Sequence, residues 1–461
     1  MRDLLNNIVD AAVTKFGAEY AETRAQTLHK TMLTLKEGRV EAAKQGIENG
    51  VALRVLVNGT WGFASVGSLN AEVLTNAVSD ACKMAKTASS RQKSPIKLAE
   101  TKAVQDSVCL KPEKNPSEIQ IEDKIKTALA INQTTLSYDK CIRSCTIDYL
   151  DLTGNSHFVS SEGTAIDQDK LYVWSRIAAS AKSKGTFTFS HEEIGSTEGY
   201  ELFDKVTPEK IGTTVAKRAI EQLDAKPPKG GSAQVVLGPE VVGVFVHEAF
   251  GHLAEADLAL SGDVLANSLG KKVASELVTF YDDGTVNGAF GSFKYDDEGV
   301  RTQKTLLIKD GVVTGFMHNR ETAKKLNTVP TGNARAEDFR VEPIIRMRNT
   351  FMNPRDHSFE ELIEGIKIGY YFKSFRGGQA NLDGTFQVGI QQAYEIVNGE
   401  IGEPIRDASI SGNTLDTLLK VDAVGKDFEL SSGRCGKEQT AFVGDGGPHI
   451  RLKEVTVGGS A

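Results

Sequence analysis

The chain has 461 residues, 25% of them charged and 40% hydrophobic, with a formal net charge of −7. That length exceeds one ordinary hydrophobic core, so two or three domains are expected. The mild acidity and the lack of any long Lys/Arg run argue against nucleic-acid or anionic-membrane partners.

The segment after Met1 enters an amphipathic pattern directly, without the apolar stretch and small-residue cleavage site of a signal peptide. No window approaches the roughly 18 apolar residues of a membrane span. The five cysteines, Cys82, Cys109, Cys141, Cys145 and Cys435, are too few for a disulfide framework. Reduced thiols and a cytoplasmic location are expected.

Leu4, Leu5, Ile8, Val9, Ala12, Val13 and Phe16 recur at helical spacing, and Gly17 offers a stop. The period then changes to two. Val51, Leu53, Val55 and Val57 lead into Asn58-Gly59, and Trp61 and Phe63 follow, which predicts a hairpin. Leu74, Ala77, Val78 and Ala81 predict a second helix, and another is expected to start near Asn115-Pro116. Tyr138 to Ser190 reads as a strand meander. Thr207-Pro208-Glu209 opens a helix striped by Ile211, Val215, Ala219 and Leu223.

Ala225 to Ser232, Ala-Lys-Pro-Pro-Lys-Gly-Gly-Ser, reads as a linker. It divides an N-terminal α+β region, 1–224, of one or two subdomains, from a C-terminal domain, 233–461. Beyond it Val235, Val236 and Leu237 form a buried strand, a helix opens at Pro239, and glycine-bounded strands follow, as at Thr305–Ile308 and Val312–Phe316. The fold class is therefore α+β: a helix and antiparallel-sheet region, then a strand-rich domain.

The helix from Pro239 is apolar all round until His247, Glu248 and His252, which predicts burial. The pattern is His-Glu-x-x-x-His, one residue longer than the common zinc-peptidase spacing. At about 100° per residue, a five-residue step places the two imidazoles about 140° apart. They converge only where the helix widens by one residue or breaks, and Gly251 stands where such a distortion costs least. Neutral imidazoles bind zinc well. A carboxylate beside a ligand can take a proton from an activated water and pass it to a leaving amine.

The stretch His247 to Asp257, His-Glu-Ala-Phe-Gly-His-Leu-Ala-Glu-Ala-Asp, resembles the signature helix of TldD-type peptidases. Val51 to Ser65, Asp296 to Thr302, Thr331 to Arg335 and Ser432 to Lys437 are similar to further family segments and occur in the family's order. The resemblance implies a third metal ligand at Cys435, in Cys-Gly-Lys, with Gly433 and Gly436 suggesting a tight turn around it. It implies a Zn²⁺-dependent peptidase acting on unfolded or modified peptides, with Glu248 as general base. It also implies a dimer enclosing the site, formed with itself or with a family member lacking the His-Glu motif. One departure is that the family often carries a glycine before the glutamine of this segment, whereas Cys435-Gly-Lys-Glu-Gln runs without it.

Two rival functions share these residues. One is a zinc amidase or deacylase acting on a small molecule; the other is a metal-stabilised partner subunit without activity, against which Glu248 argues. No organic cofactor site is read. Elsewhere, Asp282-Asp283-Gly284 and Asp296-Asp297-Glu298-Gly299 read as solvated turns, and Gly444 to His449 as a turn. Glu255 and Asp257 either orient the ligand histidines or form a solvated helix end. Cys82, Cys109, Cys141 and Cys145 read as small buried hydrophobes. Arg335 reads as a surface ion pair, with substrate contact as its alternative, and His449 is a minor candidate for a fourth ligand.

Overall fold

The computed structural model describes residues 1–459. Positions 460 and 461, the end of the expected C-terminal unit, lie outside the described residues. Helix α1 (Arg2–Thr14) buries Leu5, Ile8, Val9 and Ala12, and Gly17 takes φ +76° beyond it. Strands β1 (Tyr20–Lys36), β2 (Arg39–Val57) and β3 (Thr60–Val66) follow. Asn58 and Gly59, at φ +49° and +66°, close the β2–β3 hairpin so that Val57 faces Thr60. This is the positive-φ pair that a two-residue turn demands.

Helix α2 (Ala71–Ser89) is capped by Asn70 and buries Leu74, Val78 and Ala81. Strand β4 (Gln105–Val108) comes next. Asn115-Pro116 opens only a single tight turn, Pro116–Glu118; the chain extends at Ile119, and α3 (Ile121–Ser137) starts afresh. The meander is β5 (Ile142–Ser160), β6 (Ala165–Ser183) and β7 (Thr186–Ser196). A short helix, α4 (Leu202–Lys205), precedes α5 (Pro208–Glu221), whose Thr207 cap accepts from Lys210 N.

These seven strands form one sheet in the order β3-β2-β1-β5-β6-β4, with β7 also on β6. It is antiparallel except where β4 runs parallel to β6. The α1 and α2 faces pack on Val51, Leu53 and Val55, and α3 and α5 pack on Leu33, Ile147 and Ile177.

The Ala225–Ser232 segment is tied down rather than free: Lys226 bridges Ile405, and Gly231 and Ser232 already belong to β8 (Gly231–Leu237). Two sheets follow. One runs Val312–Val313, Lys304–Lys309, Phe280–Asp283, Asn349–Met352, Gln439–Gly447, Glu429–Lys437. In the other, Ile368–Ala380, β8, Ile450–Gly459, Ala408–Asn413 and Thr385–Val397 pair in turn, and the last pairs back with the first, closing a ring.

Helix α6 (Pro239–Val246) sits in the core between these sheets, with Val241, Val242, Val244, Phe245 and Val246 all buried. Each such side chain contributes about 1.5–3 kcal/mol on removal from water. Gly243 lets it approach closely: a Cβ there would stand 2.5 Å from Asp445 Oδ1 and 2.7 Å from Gly446 N. Among the described residues no helix is long and apolar enough to cross a membrane.

The two acidic segments are not solvated. Asp282, Asp283, Asp296, Asp297 and Glu298 are all buried. Arg54 holds both Glu22 and Glu298 at 2.7 Å, and Arg24 and Lys170 face Asp297 at 3.4 and 3.5 Å. The basic partners come from β1, β2 and β6, so these acids fasten the C-terminal loops to the N-terminal sheet. Local sequence carries no sign of partners some 240 residues away.

Candidate metal centre

At His247 the helix widens. His247–Gly251 forms a π-turn in which His252 N–H donates to His247 O, followed by a tight turn at His252–Ala254. The five-residue spacing required this, and the two imidazoles now stand 5.1 Å apart between ring centres at 84°. Gly251 is needed for a different reason than conformational ease. Its backbone is ordinary helix, φ −55°, but a Cβ there would meet Met347 Sδ at 2.2 Å.

Cys435 reaches the same point from the hairpin Glu429–Lys437/Gln439–Gly447. It does not sit in a tight turn. Gly433 and Gly436 are ordinary strand residues, and alternation along the strand buries Cys435 while Arg434 and Gly436 are exposed. The turn falls at Glu438, which adopts φ +58° where the family's glycine is missing. Cys435 Sγ lies 3.3 Å from His252 Nε2. His247, His252 and Cys435 each offer a ligand atom, all within 4.8 Å of one another, so they can coordinate one metal ion.

The surroundings fit that donor set. Glu255, fully buried, accepts a hydrogen bond from His252 Nδ1 at 3.2 Å, which leaves Nε2 facing Cys435. Lys437 Nζ lies 3.0 Å from Glu255 and 2.7 Å from Asp257, and Arg346 Nε lies 4.0 Å from Glu255. Asp257 therefore acts on Lys437 and not on a histidine. His247 Nδ1 is buried without a hydrogen-bond partner, so nothing in the protein uses it.

Burial pushes the Cys435 thiol up, but the charge of His247 and hydrogen bonds from both histidines bring it down to about 4. Burial disfavours the His252 cation, yet its bonds to Cys435 and Glu255 carry it up to about 10. The same contest raises His247, through Cys435 and Glu248. Glu255 is lowered: burial opposes its charge, and His252, Lys437 and Arg346 outweigh burial. The cluster is thus a cysteine sulfur between two imidazoles, each favouring the other's charged form, a set whose protons a metal cation can displace.

His247, Glu248, His252 and Cys435 line one wall of a cavity of about 700 Å³. The lining also includes His191, Glu192, Glu193 and Arg218 from the N-terminal region. Asp445 also lines it, on a strand where the sequence reading placed a turn. Burial pushes its carboxyl up to about 7, with Glu248 adding and His247 opposing. The signal was available: Ala441, Val443 and Asp445 alternate on one strand face.

Other candidates fall elsewhere. His449 is engaged by Asp427 Oδ2 at 2.7 Å and Tyr371 OH at 2.9 Å and does not line this cavity. Arg335 is neither at the surface nor in the cavity; it is buried and donates to Met347 O and Phe442 O. Cys82 and Cys145 are buried, Cys141 is half-buried and Cys109 is exposed.

An α+β fold that gathers two histidines and a cysteine into one cluster able to hold a metal ion, beside a cavity, defines the class of protein. The family models described as PmbA/TldA metallopeptidase domain 1, central domain and C-terminal domain match residues 21–85, 114–223 and 230–459. A metalloprotease of Methanothermobacter thermautotrophicus is 40% identical over 445 residues, 96% of each chain. The zinc metalloprotease TldD homolog of Saccharolobus solfataricus is 35% identical over 96% of this chain and 98% of its own. The crystal structure of TldE from Thermococcus kodakarensis shares the fold at a TM-score of 0.78 and 21% identity, covering 99% of this chain and 100% of that one. The chain belongs to the TldD/PmbA family of metallopeptidases.

Proposed function

We propose that this chain is a zinc-dependent peptidase that hydrolyses unfolded or modified peptides, with zinc held by His247, His252 and Cys435 and with Glu248 as general base. The observation that supports it most is the meeting of the three ligands from two distant segments on the wall of a cavity that Glu248 shares. Three ligands leave a fourth position for water or substrate, which suits catalysis rather than a closed structural site. When bound, zinc supplies Lewis acidity, polarising a carbonyl and acidifying water. The Glu248 carboxylate takes the proton of the attacking water and returns it to the leaving amine nitrogen. Glu255 holds the Nδ1 proton of His252 and so keeps Nε2 as the coordinating atom.

The domain boundary between 224 and 233, the cytoplasmic location and a dimer, with itself or with a motif-less relative, belong to the same proposal. The name of the Saccharolobus relative supports zinc as the metal. The test is digestion of an unstructured protein by zinc-loaded enzyme, alongside a panel of small acyl amides. Glu248→Gln is expected to keep its zinc yet lose at least about a hundredfold in peptide turnover. Near-normal turnover in the loaded variant removes Glu248 from the mechanism, and turnover of the amides alone replaces the peptidase by an amidase.

A further inference from the structure

A second pocket, of about 140 Å³, is lined both by the N-terminal sheet and by the hairpin that carries Cys435. Strand β6 supplies Lys170 and Tyr172, and the hairpin supplies Arg434 and Phe442, which pair across its two strands. The pocket has more buried positive charge than its carboxylates balance. Three cations gather around the ring of Phe293: Arg348 Cζ at 4.1 Å, Lys170 Nζ at 4.6 Å and Arg335 Cζ at 5.2 Å from its centre. Both arginines are buried, and the Lys170 side chain is only 10% exposed. Among the described residues one carboxylate pairs with Lys170: Asp297 Oδ1, 3.5 Å from Nζ, which Arg24 Nη1 shares at 3.4 Å.

The other buried acids beside these cations are engaged elsewhere. Asp296 accepts from the backbone of Glu298, Val300 and Ala334. Asp282 accepts from Arg348 N, Asn333 Nδ2 and the Thr350 hydroxyl. The bonded guanidinium donors of Arg335 and Arg348 go to carbonyls of Met347, Phe442 and Gly332. Burial pushes the Lys170 ammonium down; Asp297 opposes this, while Arg24, Arg348 and Arg335 add to it. Uncompensated buried charge costs free energy that an anion from outside would recover.

Two donors are free to meet one. Neither Lys170 Nζ nor the Tyr172 hydroxyl donates a hydrogen bond to any described residue, and neither atom is sealed off from the pocket. Tyr172 is 6% exposed. The two residues are two apart on β6, so they share a face at a spacing of about 7 Å.

We propose that this pocket binds a small oxyanion, phosphate or a carboxylate, which accepts from Lys170 Nζ and the Tyr172 hydroxyl and joins the N-terminal sheet to the Cys435 hairpin. Arg346, which also lines the pocket, already donates to Cys435 O, so the anion would add to contacts that hold this hairpin in place.

The test uses the zinc-loaded protein in sodium phosphate, sodium acetate or sodium chloride at equal pH and ionic strength. Relative to chloride, a saturating concentration of phosphate or acetate is expected to raise the melting temperature by about 1–2 °C. Calorimetric titration of the same anions gives the affinity. Lys170→Met, which keeps the apolar stem and removes the charge, should weaken binding at least about tenfold, the scale of a charge-assisted hydrogen bond. Tyr172→Phe should weaken it by about threefold or more and keep the ring against Phe442. Retained zinc content checks the fold, and if Lys170→Met does not fold, Tyr172→Phe decides. A response to phosphate alone identifies inorganic phosphate as the ligand, a response to acetate alone a carboxylate, and a response to both a site for either. The proposal is overturned if neither anion has an effect beyond chloride. It is also overturned if binding survives both substitutions unchanged, since the anion then sits elsewhere, such as beside the zinc ligands.

Discussion

His191 illustrates what a single residue gains and loses by lining the cavity. It is buried, and burial together with Arg176, Arg218 and Arg376 brings its imidazole down to about 4. An unfolded histidine titrates near 6.5. Between those values the unfolded chain binds a proton that the folded chain does not, so stability is fully present above about pH 6.5 and is lost as pH falls towards 4. The loss is on the order of 3 kcal/mol. His191→Gln should flatten that part of the curve of urea midpoint against pH; an unchanged slope would assign the acid sensitivity to other groups. His247 and His252 were readable because two imidazoles and a carboxylate within six residues of an otherwise apolar helix have few structural uses. Cys435 was not readable from periodicity, since 183 residues separate it from His252; only the family's Cys-Gly-Lys segment pointed to it. Asp445 was missed because glycines on both sides read as a turn, while here Gly444 packs on Asn349 and Gly446 on Glu429 O of the neighbouring strands.

Among the elements, α6 and its π-turn carry the site. The widened turn followed from the spacing of His247 and His252 alone, because a regular helix points them apart. The tight packing behind it did not, since Met347 and the Gln439–Gly447 strand arrive from far along the chain. Gly243 is the sharpest test of that packing. Gly243→Ala would drive a methyl into Asp445 and the Gly446 amide, so it should destabilise by about 1–3 kcal/mol. Gly46→Ala, on β2 with no heavy atom within 4 Å of its Cβ position, should be neutral within about 0.5 kcal/mol. Thermal melts of both variants make the comparison, and equal melting points would mean that α6 is not clamped by this strand. The Asn58-Gly59 hairpin and the Thr207-Pro208 helix start were legible for the opposite reason: their chemistry is local.

Across the whole molecule, the N-terminal sheet reaches the C-terminal half through buried charge. Arg54 bridges Glu22 of its own sheet and Glu298 of the acidic loop, all three buried. Removing one partner of such a network leaves unpaired buried charge and costs about 3–5 kcal/mol. Arg54→Ala should therefore lower the unfolding free energy by that order, measured by urea denaturation; a loss under about 1 kcal/mol would mean that water replaces the guanidinium at little cost. The α+β class and the strand-rich C-terminal half were legible from glycine-bounded runs of period two. The closing of five strands into a ring was not, because it joins β8 in parallel to Ile368–Ala380 more than 130 positions later, and register between distant strands leaves no local trace.

The central claim is that one zinc ion binds His247, His252 and Cys435. X-ray absorption at the zinc edge, on wild-type protein and on Cys435→Ser, tests it most directly. The account predicts about one zinc per chain in the wild type, with one sulfur near 2.3 Å and two nitrogens near 2.0–2.1 Å, and loss of the sulfur and of most of the metal in Cys435→Ser. A wild-type spectrum without sulfur, or a Cys435→Ser protein retaining full zinc and full activity, would contradict it.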